Sequence, residues 1–104
     1  MNFYEQENNK TVLKTREIIR ELPEFCNEFF LDLNQNTLPK TRMGYAYDLR
    51  VFFNFLVTEN KEFLGRDIKS LTLDDLQKIK VVDINQFMDY LAYYVSDEDS
   101  QLYS

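Results

Sequence analysis

"TLPKTRMGYAYDLRVFFNFL", residues Thr37–Leu56, is the stretch on which the fold turns. Tyr45, Leu49, Phe52, Phe53 and Leu56 recur at i, i+4, i+7, i+8 and i+11, the broad apolar stripe of a helix that packs on a core. Pro39 suits a first helical turn, where its missing N–H costs little, and Thr37 is a candidate N-cap. The spacing predicts one long helix from about Leu38 to Asn60. At about 100° per residue, Lys40, Tyr47, Arg50, Asn54 and Thr58 gather on the side away from that stripe.

Upstream, Thr11 is a candidate cap for a helix to about Glu21, with Val12, Ile19 and Leu22 near one face. Pro23 interrupts the chain. "PEFCNEFFLDL" then sets Phe25, Phe29, Phe30 and Leu33 at helical spacing, with Pro23 and Glu24 in the first turn. Downstream, "KEFLGRDIKS" reads as an irregular turn in which Gly65 takes a positive φ. "LTLDDLQKI" predicts a short helix capped by Thr72, with Asp74 and Asp75 in its first turn. "DINQFMDYLAYYV" predicts a last helix capped by Asp83, with Ile84, Phe87, Leu91 and Tyr94 as its apolar stripe. Residues 1–10 and the acidic 96–104 read as flexible ends flanking a helical domain at 11–95. The expected class is all-α, a small bundle of four to five helices.

Composition agrees and also excludes chemistry. In 104 residues there are only 2 Gly and 2 Pro, too few for an all-β chain built on tight turns. His is absent, which removes the commonest acid–base side chain and the commonest nitrogen ligand for metals. A lone Cys26 forms neither an internal disulfide nor a nucleophile–base pair, and reads as a small buried hydrophobe. Gly44 and Gly65 are isolated, so no phosphate-cradling loop exists. Asp74 and Asp75 are neighbours whose side chains diverge on a helix, and acids in a first turn serve the helix dipole. No catalysis by this chain, no cofactor and no metal are expected. There is neither a secretory leader nor a membrane-length apolar run, so the expected location is the cytoplasm.

Charge is unevenly spread. The net charge is −6, yet residues 35–50 hold Lys40, Arg42 and Arg50 against Asp48 alone. Residues 81–104 carry five acids and no base. Lys40, Thr41 and Arg42 lie where backbone N–H groups are free and the helix dipole is positive, a combination that binds phosphate. Positive charge at that end does nothing for the helix itself.

The order of these residues resembles the segment that opens the core-binding domain of tyrosine recombinases, the phage integrase and Xer-like family. The resemblance runs through Thr37, Thr41, Tyr45, Asp48-Leu49 and Phe52. "LPEFCNEFFLDL" is similar to the family's first helix. Leu71-Thr72, Asp83-Ile84 and Tyr90-Leu91 are similar to its third-helix region. The match spans about residues 22–94, and its specificity lies in the order of degenerate elements.

The resemblance implies a SAM-like helical domain that, with a separate catalytic domain, clamps a recombination site in the integration or excision of a mobile element. Its implied partners are double-stranded DNA, met mainly at the phosphate backbone, and other recombinase protomers. Thr37, Lys40, Thr41 and Arg42 become phosphate contacts, while Met43, Tyr47 and Arg50 approach the groove or backbone. None of the seven tyrosines is implied as a nucleophile, because the catalytic Arg, Lys and His motifs are absent. In the family a fourth, basic helix follows. This chain stops in the acidic loop where that helix begins, which implies a truncated domain or a remnant with an apolar face left open to self-association. The helix at 11–21 is an alternative cover for that face. Two other readings stay open: an acidic protein-interaction module without a nucleic-acid role, and a regulator that occupies recombination sites without cutting them.

Overall fold

The structure is a computed structural model. It describes the backbone of residues 3–34 and 36–103 and the side-chain surroundings of residues 8–34 and 36–93. Among them there are five α-helices and one 3₁₀ turn, and no strand. The protein is all-α, as composition and periodicity require. The chain divides into two compact units, Met1–Leu73 and Asp74–Ser104.

The first unit holds α1 (Phe3–Glu21), α2 (Cys26–Leu33), α3 (Pro39–Glu59) and the 3₁₀ turn Ile68–Ser70. Helix α1 begins at Phe3, so Thr11 lies inside it rather than at its cap. The Thr11 carbonyl accepts a hydrogen bond from the Thr15 hydroxyl at 2.8 Å. That bond lets Thr15 sit buried beside Ile18 and Leu22 without an unpaired polar atom. The inward face of α1 is therefore Thr15 and Ile18, continued by Leu22 just beyond its end, with Val12 and Ile19 half-buried on its margin. Pro23 is buried and its carbonyl accepts from Cys26 N–H, a turn that leads into α2. Cys26 and Phe30 form the buried side of α2, whereas Phe29 is 46% exposed despite its helical spacing with Phe25 and Leu33.

Helix α3 packs along α1. Its buried residues are Ala46, Phe53, Phe55 and Leu56. The expected stripe is thus rotated by roughly one residue: Ala46 takes the place given to Tyr45, which is 42% exposed. Phe55 lies nine residues beyond Ala46, about 180° around the helix, so α3 is covered on two opposite sides. The 3₁₀ turn also packs on α3. Phe63 and Leu71 bury from the segment after the helix.

That segment folds back through two local devices. The buried Asn60 ends α3, and its Oδ1 accepts from Glu62 N–H at 2.9 Å. Gly65, at φ +84°, donates its N–H to the Val57 carbonyl at 2.9 Å.

The second unit holds α4 (Leu73–Gln77) and α5 (Val81–Tyr103). Helix α5 starts at Val81, three residues before the expected start, and Asp83 is not its cap. Instead, Asp83 Oδ2 accepts the Lys80 N–H at 2.8 Å, the back-reaching half of a capping box. The helical backbone continues to Tyr103 and takes in residues 96–103, read from sequence as a tail. Likewise residues 3–10 are helical rather than irregular. Phe87, Tyr90 and Leu91 are half-buried on one side of α5, but Ile84 is 49% exposed.

Candidate nucleic-acid interface

The candidate interface is the start of α3 and what surrounds it. Leu38 occupies the cap position in extended conformation and makes no side-chain cap hydrogen bond; Pro39 follows in the first turn, which contains no acid. Thr37 is not the cap. Its hydroxyl donates to the Leu33 carbonyl at 2.7 Å, closing the end of α2 instead of opening α3. A threonine between two helices can serve either neighbour, and here the α2 carbonyl is the one within reach.

Lys40 and Thr41 are exposed in the first turn. Arg42 is half-buried, and its Nη1 donates to the Thr37 carbonyl at 2.5 Å. The three residues circle the helix axis rather than share a face, since two positions along a helix differ by about 200°. Lys40 falls on the flank of Met43, Tyr47 and Arg50. Arg42 falls on the inward side, toward α1 and α2.

Arg42 there lines a cleft of about 370 Å³ that also has Arg16 of α1, Phe30 and Leu31 of α2, and Asn34 at the end of α2 in its walls. The cleft wall holds two arginines and no carboxylate, in a protein of net charge −6. Arg16 carries no sequence signal for this position. It stands 26 residues from Arg42 in the chain, and only the packing of α1 on α3 brings both to one cleft.

Along the Lys40 flank, Met43 and Tyr47 are half-buried. Arg50 is already engaged: its Nη1 lies 3.1 Å from Glu21 Oε2, and its guanidinium lies 5.0 Å from the Tyr47 ring centre. The residue assigned by periodicity to a free polar face thus links α3 to the end of α1. Of the seven candidate residues, Lys40 and Thr41 present exposed side chains, and Thr37, Arg42 and Arg50 have partners within the protein.

Cys26 is buried, and loss of solvation raises its thiol pKa from 9.0 to about 11, so it is not a nucleophile near neutral pH. Among the described residues, no group of three His, Cys, Asp or Glu side chains is placed to hold a metal ion, and no helix is long and apolar enough to cross a membrane.

Compared with protein-family models, with curated proteins and with solved structures, the chain shows no significant match. The class that the fold defines is accordingly a small all-α protein, and its function rests on the residues themselves.

Proposed function

We propose that the chain is a DNA-binding helical module of the kind that opens tyrosine recombinases, and that it grips the phosphate backbone with the start of α3. The observation that carries this reading is the exposed pair Lys40 and Thr41, in the acid-free first turn of a 21-residue helix whose cap residue makes no side-chain hydrogen bond. Backbone N–H groups, a helix dipole and a flexible ammonium then converge where an anion can approach. The order of motifs from Thr37 to Leu91 supports the family and the SAM-like form of the domain. On this reading the chain holds a recombination site and contributes no cleavage chemistry. Arg42 and Arg16 add a positive field at the cleft, while Arg50 contributes little because Glu21 neutralises it.

The test is binding of the full chain to double-stranded DNA across a salt series. Each phosphate contact contributes about 0.9 to the slope of log K against log salt. Lys40→Ala should flatten that slope by about one contact, and Arg50→Ala should leave it nearly unchanged. An unaltered slope in Lys40→Ala would remove the assignment.

A second reading, a protein-interaction module, is favoured by one observation: α5 exposes Val81, Ile84 and Met88.

A further inference from the structure

The cleft between α1, α2 and the start of α3 has an apolar side as well as its two arginines. Val12 and Ile19 of α1, Phe30 of α2 and Pro39 of α3 line it. Phe30 is buried and Leu31 is exposed, so the cleft runs from the core of this unit out to its surface. Its volume of about 370 Å³ lies at the lower end of the range for small-molecule sites, about 300–1,000 Å³.

The positive charge in this cleft is not balanced from within. The chain has 18 acidic residues, yet none lines the cleft. Two acids of α1 close in sequence to Arg16 are engaged elsewhere: Glu17 lies 3.5 Å from Lys14 and Glu21 lies 3.1 Å from Arg50. The Arg16 guanidinium has neither an ion pair nor a hydrogen bond among the described residues. Arg42 donates through Nη1 to the Thr37 carbonyl, a neutral acceptor that positions the guanidinium and leaves its charge uncompensated. It is also half-buried, where solvent screens it less. Asn27 and Asn34 add amide donors to the same lining without adding negative charge.

These features select a class of ligand. A guanidinium binds a carboxylate through two parallel N–H···O bonds. The apolar lining matches a hydrocarbon body and offers nothing to a hydrated inorganic ion. We propose that the cleft binds a small organic acid, one carboxylate on an aryl or acyl body, with Arg16 and Arg42 on the carboxylate and Val12, Ile19 and Phe30 on the body. The proposal does not rest on the DNA reading, which is carried by the exposed Lys40 and Thr41.

Titration of the full chain with phenylbutyrate, followed by backbone amide chemical shifts, tests this. Saturable shifts are expected at Arg16, Asn27, Asn34 and Arg42, with a dissociation constant of about 1 mM, the affinity expected of about a dozen non-hydrogen atoms. The neutral phenylbutyramide should bind at least about fivefold more weakly. Inorganic phosphate should give no saturable shift at these residues below about 20 mM. Arg16 is the residue to change, because Arg42 also holds the Thr37 carbonyl. Arg16→Gln, at an exposed position, should weaken phenylbutyrate about fivefold with an unchanged far-UV spectrum. Lys14→Gln, the same charge change outside the cleft, should leave the affinity as it is.

A wild type that shows no saturation by phenylbutyrate at these residues overturns the proposal, as does equal affinity for the amide. Equal losses in Arg16→Gln and Lys14→Gln overturn the role of Arg16. Phosphate that binds as tightly as phenylbutyrate overturns the organic acid and returns the cleft to the DNA phosphates.

Discussion

Gly65 holds the chain reversal after α3 at φ +84°, a region that costs an L-residue strain. A Cβ built there meets nothing within 4 Å, so any penalty for a side chain is confined to the backbone. Gly65→Ala should therefore cost about 1 kcal/mol, seen as a lower urea midpoint with an unchanged slope. Cys26 makes a different point at the same scale. Its thiol is 2% exposed, and burial lifts its pKa from 9.0 to about 11. At pH 8 the native thiolate fraction is then about 100-fold below that of the unfolded chain, before access is considered. Alkylation by iodoacetamide at pH 8 should be slower than in denaturant by at least that factor. The sign for stability follows: the protonated thiol is favoured by folding, so its contribution is fully present below pH 9 and is lost as pH rises toward 11. Burial of Cys26 follows from its helical spacing with Phe30. The Arg50–Glu21 contact does not, because it joins residues 29 positions apart whose helices must first be packed.

At the scale of elements, α3 shows how periodicity constrains a helix without orienting it. Phe53 and Leu56 were legible as core because every plausible stripe contains them. Tyr45 was not separable from Ala46, since neighbours differ by only about 100° and either fits a broad apolar face. Phe55 escapes periodicity for another reason. A one-faced helix has no use for it, and only the chain returning after Asn60 gives α3 a second covered side. Phe53 is 1% exposed and in edge contact with Phe25. Phe53→Ala should thus destabilise by about 3–5 kcal/mol, a large part of the stability of a domain this size, measurable by chemical denaturation. Sequence pattern places the start of α5 three residues late, because an acid at the third position of a helix resembles an acid at its cap. The hydrogen bond from Lys80 N–H to Asp83 Oδ2 separates the two. Asp83→Ala should cost about 1 kcal/mol through this bond and the helix dipole, with Asp83→Glu retaining part of it in the same denaturation assay.

For the molecule as a whole, net charge limits what the proposed interface can do. A protein at −6 with two or three phosphate contacts at one helix start binds DNA weakly and with a shallow salt dependence. Raising salt from about 50 to about 200 mM should lower affinity by about 10- to 40-fold, against about 1,000-fold or more for a strongly basic binder. A steeper loss in a fluorescence titration would mean that basic residues beyond Lys40 and Arg42, with Arg16 the first candidate, also reach the phosphates. The amino-acid order by itself determined the all-α class, the number of helices, the long helix behind Pro39 and the turn at Gly65. Each of these rests on local physics: spacing, a missing N–H, a glycine's freedom. Tertiary packing alone decided that Tyr45 stays out and Phe55 goes in, that Arg42 joins Arg16 in a cleft, and that Arg50 turns to Glu21 while Lys40 remains exposed. Helical periodicity assigns each side chain an angle about its own axis. Which angles are covered, and which charges find partners, depends on segments distant in the chain, and those meet only when the helices pack.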